Sequence, residues 1–205
     1  WQDFHRNVQS RVKQVLDVLD NLATPTPGGS AFETPIQLRE ALDAALTELR
    51  ADLDRRHISV VNLIPDNLPA VHVDAPKFRK LFPLILRDEL AHLPENSVIR
   101  VEASLQQRPG SKPEIEITIN DNGPGMPHHA ILSMFDPFLM RKQMPQEFGV
   151  LLMACYFIVH HHGGRIDVRP SESQGLTFTV HLPVQPEALD GADQGEQFLV
   201  RAMTN

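Results

Sequence analysis

Three kinds of residue in this chain are equipped for chemistry: a run of histidines, one thiol, and an aspartate set in a glycine-rich turn. His160, His161 and His162 are consecutive at the end of an apolar run. On a helix they point about 100° apart, so they do not converge on one metal ion as an i, i+4 pair does. The spacing fits a polar ring closing a helix end instead. His128 and His129 read as a helix-start pair. Cys155 is the only cysteine, which excludes an internal disulfide, and its place in an apolar stretch predicts a buried, unreactive thiol. Asp121 opens DNGPGM, a sequence that by itself is a tight surface turn with glycines at 123 and 125. A carboxylate fixed there is an acceptor only, and so selects for an N–H donor.

What must position these residues is a chain of 205 residues, 41% hydrophobic, with a formal net charge of -7 and a pI near 5.8. The hydrophobic content suffices for a packed core. The acidity argues against a nucleic-acid surface, which needs a basic face to release counterions, and confines any anion to a local pocket. No apolar run approaches the roughly 20 residues of a membrane helix, and the lone cysteine fits an intracellular, cytoplasmic setting. The chain opens at Trp1 without a methionine or signal-like segment, as a piece of a longer protein would.

From 1 to 24 the apolar positions Phe4, Val8, Val15, Val18 and Leu22 fit a heptad, predicting a long amphipathic helix that dimerises with a second copy. TPTPGGSAFET then reads as a linker, 25–34. A second helix is expected from about Pro35 to Arg56, started by Thr34 and Pro35. Beyond it ISVVNLIP, AVHV, VIRVEASL and EIEITIND read as strands, with DAPKFRKLFPLILRDELAHL as one helix among them. Pro83 within that helix should kink it just before Asp88. Gly149 leads the apolar helix, which leaves through Gly163 and Gly164 into a final hairpin, RIDVRP and LTFTVHLP. The expected fold over 35–186 is a two-layer α/β sandwich, a mixed sheet with helices on one face. An acidic tail occupies 187–205.

DNGPGM at a strand end, FDPF after it, a glycine leading an apolar helix that ends in HHGGRI, and the last strand GLTFTVHLP together resemble the ATP-binding domain of sensor histidine kinases. That domain belongs to the superfamily shared with gyrase, heat-shock-90 chaperones and mismatch-repair ATPases, with its Bergerat-type fold. RVKQVLDVLDNL looks like the second helix of the kinase dimerisation hairpin. The resemblance implies that Asp121 accepts a hydrogen bond from the adenine amino group, that Gly123 and Gly125 let the backbone approach the nucleotide, and that Thr177 supports adenine through its hydroxyl. It also implies ATP and magnesium as ligands and a response regulator or partner kinase as partner.

At the phosphate end the chain departs from the family. Asp88 stands where a magnesium-binding asparagine is expected and Leu84 where a second is common; aspartate is itself a hard-oxygen ligand for magnesium. The family lid is a GxGxG stretch whose bare amides wrap the phosphates at a helix N-terminus; here it holds Glu147, Gly149 and Leu151. Arg141 and Lys142 precede it and offer compensating charge. His5 lacks the acidic neighbour of a phosphoacceptor. No catalytic residue is assigned. Two readings remain open: a signalling domain with impaired or lost phosphoryl transfer, and an active domain transferring the γ-phosphoryl of ATP to a histidine on a hairpin helix absent from this chain.

Overall fold

The structure is a computed structural model, and it describes residues 34–107, 109–126, 131, 148–171 and 175–185, with the backbone alone for 148–150. The linker up to residue 33, the heptad helix, FDPF, His128, His129, Arg141, Lys142, Glu147 and the tail lie outside the described residues.

The described chain opens with strand β1 (Thr34–Ile36) and helix α1 (Leu38–Arg56). The expected helix start at Pro35 is therefore a strand: Thr34, Pro35 and Ile36 pair antiparallel with β3 (Val71–Val73), and the helix begins at Leu38. Leu38, Leu42, Ala45, Leu49 and Leu53 recur every three or four residues and form the buried stripe of α1. The helix ends at His57, whose backbone turns left-handed at φ 52° and donates to Asp54 O. At this end Arg56 donates to Leu90 O (3.0 Å) and Leu93 O (2.5 Å), fastening α1 to the next long helix.

That helix is interrupted. A single turn, α2 (Ala75–Phe78), is followed by α3 (Leu81–His92). The interruption falls at Arg79 and Lys80 rather than just before Asp88, and the reason is Pro83. Having no N–H, it cannot bond back into a preceding turn. Restarting at Leu81 places it in a first turn, where that N–H would be unsatisfied in any helix.

Strand β2 (Ser59–Asn62) runs parallel to β4 (Val98–Gln106); β4 pairs antiparallel with β5 (Glu114–Asp121), β5 with β7 (Leu176–Pro183), and β7 with β6 (Arg165–Pro170). The result is a mixed five-stranded sheet, β2-β4-β5-β7-β6, with β1-β3 as a separate two-stranded ladder. Alternation sends Ile99, Val101, Ile115, Ile117, Ile119, Phe178, Val180 and Leu182 to one buried face. There they meet α1, α3 and α4 (Phe148–His161), whose Leu152, Ala154, Cys155, Ile158 and Val159 are also buried. This is the expected two-layer sandwich. The ladder β1-β3 is tied to the end of the sheet, His72 N donating to Val184 O at 3.0 Å. No helix among the described residues is long and apolar enough to cross a membrane.

Candidate functional site

Asp121 is the last residue of β5, on the buried face with Ile115, Ile117 and Ile119, and 4% exposed. Its two carboxylate oxygens are held separately: Oδ1 accepts from Gly123 N and Oδ2 from Leu176 N, each at 2.7 Å. Burial raises its pKa, while these two N–H groups oppose the rise. Such bonds to an ionised acceptor are strong and short, so the side chain is fixed in one orientation. Each oxygen retains a second lone pair, which leaves it able to accept from a ligand amine.

Glycines make this possible by standing too close for side chains. At Gly175 the backbone has φ +85°, and a Cβ would lie 2.3 Å from Asp121 O and 2.4 Å from Asp121 Oδ1. A Cβ at Gly123 would lie 2.5 Å from Leu93 Cδ2 and 2.8 Å from Asp121 Oδ1. Gly125, at φ +71°, faces the Gly175 carbonyl. The structure thus brings Asp121, Gly123 and Gly125 together and adds Gly175 and the N–H of Leu176 from the start of β7.

Thr177 is not brought to this cluster. Strand alternation puts it on the opposite face of the sheet from Leu176 and Phe178, where its hydroxyl accepts from Asn120 Nδ2 at 2.9 Å. Asn120 also donates to Ser171 Oγ at 2.8 Å. The residue of β7 that reaches Asp121 is Leu176, and it does so with its backbone.

Asp88 is 1% exposed, and His92 Nδ1 lies 3.5 Å from its Oδ2. The next residue, Glu89, is also buried, at 4% exposure. Its pKa is raised well above the ordinary range, first by burial and then by the charges of Asp121 and Asp88. Asp88 is thus an enclosed carboxyl with a ring nitrogen near one of its oxygens. Among the described residues no group of three or more His, Cys, Asp or Glu is placed to hold a metal ion. Leu84 packs half-buried against the core. Gly149 lies in the first turn of α4, with Leu151 half-buried just after it.

Of the three consecutive histidines, His162 caps the helix end. His162 is buried behind α4; its Nδ1 is 2.6 Å from Ile158 O and its Nε2 accepts from Asp74 N at 3.0 Å. Burial lowers its pKa to about 4, so the ring that closes the helix is neutral. His161 Nε2 lies 3.4 Å from Asp74 Oδ2, beside the buried pair of Lys77 Nζ and Asp74 Oδ2 at 2.5 Å. Cys155 is a buried free thiol, its pKa raised by burial.

Sequence reasoning missed Gly175 and the Leu176 N–H. Gly175 had only the weak signal of a glycine before a strand.

With this geometry in hand, the comparisons are specific. Residues 77–186, more than half of the chain, match the family described as "Histidine kinase-, DNA gyrase B-, and HSP90-like ATPase". The adaptive-response sensory kinase SasA of Synechococcus sp. (strain JA-2-3B'a(2-13)) is 30% identical over 189 residues, covering 87% of this chain and 49% of that protein. The chain therefore spans about half the length of this curated relative. Among solved structures, the nucleotide-free catalytic domain of histidine kinase ThkA superposes with a TM-score of 0.63 at 18% identity, covering 76% of this chain and 98% of the other. ThkA in complex with response regulator protein TrrA gives a TM-score of 0.66 at 16% identity, covering 92% and 50%. The shared mixed sheet and the family match agree: this chain belongs to the histidine kinase-, DNA gyrase B- and HSP90-like ATPase family, and within it is an ATPase domain of the two-component sensor histidine kinase type.

Proposed function

We propose that this domain binds adenine nucleotides through Asp121 and works in signalling with impaired or lost phosphoryl transfer. The observation that carries the first half is the carboxylate of Asp121, held at both oxygens by backbone N–H groups and still able to accept from an exocyclic amine. Gly123 and Gly125 supply the close approach a planar base needs. The second half is supported by Asp88, an enclosed carboxyl where the family has a magnesium-binding asparagine, and by the lid sequence, in which Glu147 and Leu151 replace two glycines. Phosphoryl transfer depends on charge neutralisation at the phosphates, and that is the end of the site this chain has altered. Gly149 remains at the helix start, with Arg141 and Lys142 as the lid's compensating bases.

The whole protein of which this domain is a part is then a two-component sensor kinase, or its inactive relative. Residues 4–22 would form a homodimer, and a response regulator or partner kinase would dock on it; the ThkA complex with TrrA supports that kind of partner. A cytoplasmic location follows from the same reading. The active alternative is favoured by the intact Asp121 cluster alone.

Calorimetric titration separates the two. If the phosphate end is degraded, ATP with magnesium and ADP bind within about 1.4 kcal/mol of each other, roughly tenfold, and Asp121→Ala abolishes both. Magnesium-ATP binding far tighter than ADP binding would establish the active alternative instead.

A further inference from the structure

Asn120 stands beside Asp121 on β5, and its side chain lies against three acceptors. Its Nδ2 donates to Ser171 Oγ at 2.8 Å, to Thr177 Oγ1 at 2.9 Å and, over a longer 3.4 Å, to Leu176 O. Ser171 belongs to the turn between β6 and β7, and Leu176 and Thr177 open β7. Leu176 O can only accept, so the group facing it must be the amide nitrogen, whose two hydrogens serve the two shorter bonds.

The turn needs such a tie because the backbone ladder stops short of it. The register of β5 with β7 ends at the pair Asn120 and Thr177. Beyond that pair Ser171 N donates to Gly175 O at 3.0 Å, a bond internal to the turn that moves with it. Side chains carry the attachment across to β5: Asn120 from the outer face of the sheet and Asp121 from the buried one. Strand alternation sends these neighbours to opposite faces, so they grip one segment from both sides. Leu176 is held at each of its backbone polar groups, its N–H by Asp121 Oδ2 at 2.7 Å and its carbonyl by Asn120 Nδ2.

We infer that Asn120 is a positioning residue of the adenine site: by fixing the β6–β7 turn it keeps the Leu176 N–H on Asp121, and so keeps the carboxylate in the orientation that reads the amine. The inference rests on the adenine reading of Asp121. The coupling is tight because the turn has no slack. Gly175 approaches so closely that a Cβ on it would lie 2.3 Å from Asp121 O, so a shift of the turn is felt at Asp121. A carboxylate that must be re-oriented on binding gives up affinity that a preorganised one keeps.

The test is a nitrogen–proton NMR spectrum of the whole chain without nucleotide, followed by calorimetric titration with ADP. It is run on the wild type, Asn120→Ala, Ser171→Ala, the two combined, Thr118→Ala and Asp121→Ala, with thermal unfolding of each. The Leu176 amide proton, bonded to a carboxylate in a short charged bond, lies downfield and reports the contact directly. In Asn120→Ala it should move upfield, and ADP should bind about tenfold more weakly, the loss expected when a bond to a charged group is weakened. Ser171→Ala should move both readouts the same way by less, and the double variant should fall short of the sum because the two residues share one bond. Thr118 lies on the same face of β5, two residues before Asn120, and its alanine variant should leave both readouts unchanged. If Asn120→Ala does not fold, Ser171→Ala carries the test by itself. An unmoved Leu176 amide in the folded variant would refute the inference, since the turn would be held without Asn120. A moved amide with unchanged ADP affinity would also refute it, marking Asn120 as structural, while Asp121→Ala abolishing ADP would leave the adenine reading standing. ADP binding that is absent from the wild type, or indifferent to Asp121→Ala, would overturn the adenine reading and the inference with it.

Discussion

Gly175→Ala tests whether the backbone around Asp121 is as crowded as the structure shows, and Gly110→Ala is its control. The two glycines have nearly the same backbone, φ +85° and φ +80°, so a side chain carries the same intrinsic left-handed penalty at each, about 1–2 kcal/mol. They differ in surroundings. Nothing lies within 4 Å of a Cβ at Gly110, whereas at Gly175 it would sit 2.3 Å from the Asp121 carbonyl and 2.4 Å from its Oδ1. Backbone cannot rotate away as a side chain can, so Asp121 must shift. At least one of its bonds from Gly123 N and Leu176 N is then lost, each worth about 1.5–3 kcal/mol as a hydrogen bond to a charged group. Gly110→Ala should therefore lower stability by about 1–2 kcal/mol and Gly175→Ala by about 3–5 kcal/mol. Urea unfolding with matched m-values measures the gap, and ADP titration should show Gly175→Ala impaired and Gly110→Ala unchanged. Equal destabilisation by the two would refute the close approach of residue 175 to Asp121.

The neutral His162 predicts an acid limb to stability. Its folded pKa of about 4 lies below the ordinary 6.5, so the unfolded chain binds the extra proton between those values. Its stabilising effect is complete above pH 6.5 and falls by up to about 3 kcal/mol as pH drops to 4. Urea unfolding across this range should show a shallower fall for His162→Gln than for wild type. Lys77 and Asp74 form a buried pair, so Lys77→Met strands a charge and should cost about 3 kcal/mol or more; a loss under 1 kcal/mol would mean that water reaches Asp74. Light scattering should find a dimer that is lost on deletion of residues 1–24, in keeping with the heptad there.

How much of this was readable from sequence depends on which physical effect decided each part. Alternation in EIEITIND and the three-to-four spacing of Leu38, Leu42, Leu49 and Leu53 are local and strong, and both the strand and the helix stripe followed from them. Thr34 to Ile36 misled because a Thr-Pro pair before an apolar run is a helix-start pattern; pairing with β3, about 37 residues away, decided otherwise, and such pairing leaves no local mark. The break before Leu81 was legible in kind but misplaced. Proline forbids a bond behind it, yet it does not say whether the helix bends there or restarts. The Asp121 turn was visible as a motif. The contact between Leu93 and Gly123 was not, because it unites two segments about 30 residues apart. Thr177 shows the opposite hazard: one residue of offset along a strand moves a side chain to the other face.

Strand β3 is a common anchor. It holds β1, where the described chain enters, through pairing from Thr34 to Ile36, and it holds the end of the last strand through His72 N and Val184 O. Entry and exit therefore both bear on the same short strand, and a pull between residues 34 and 185 loads that ladder together with the bond from Val184 N to Pro113 O beside β5. Whatever is joined before and after it, a tug enters at that end of the sheet, and the Asp121 cluster sits at the opposite end of β5.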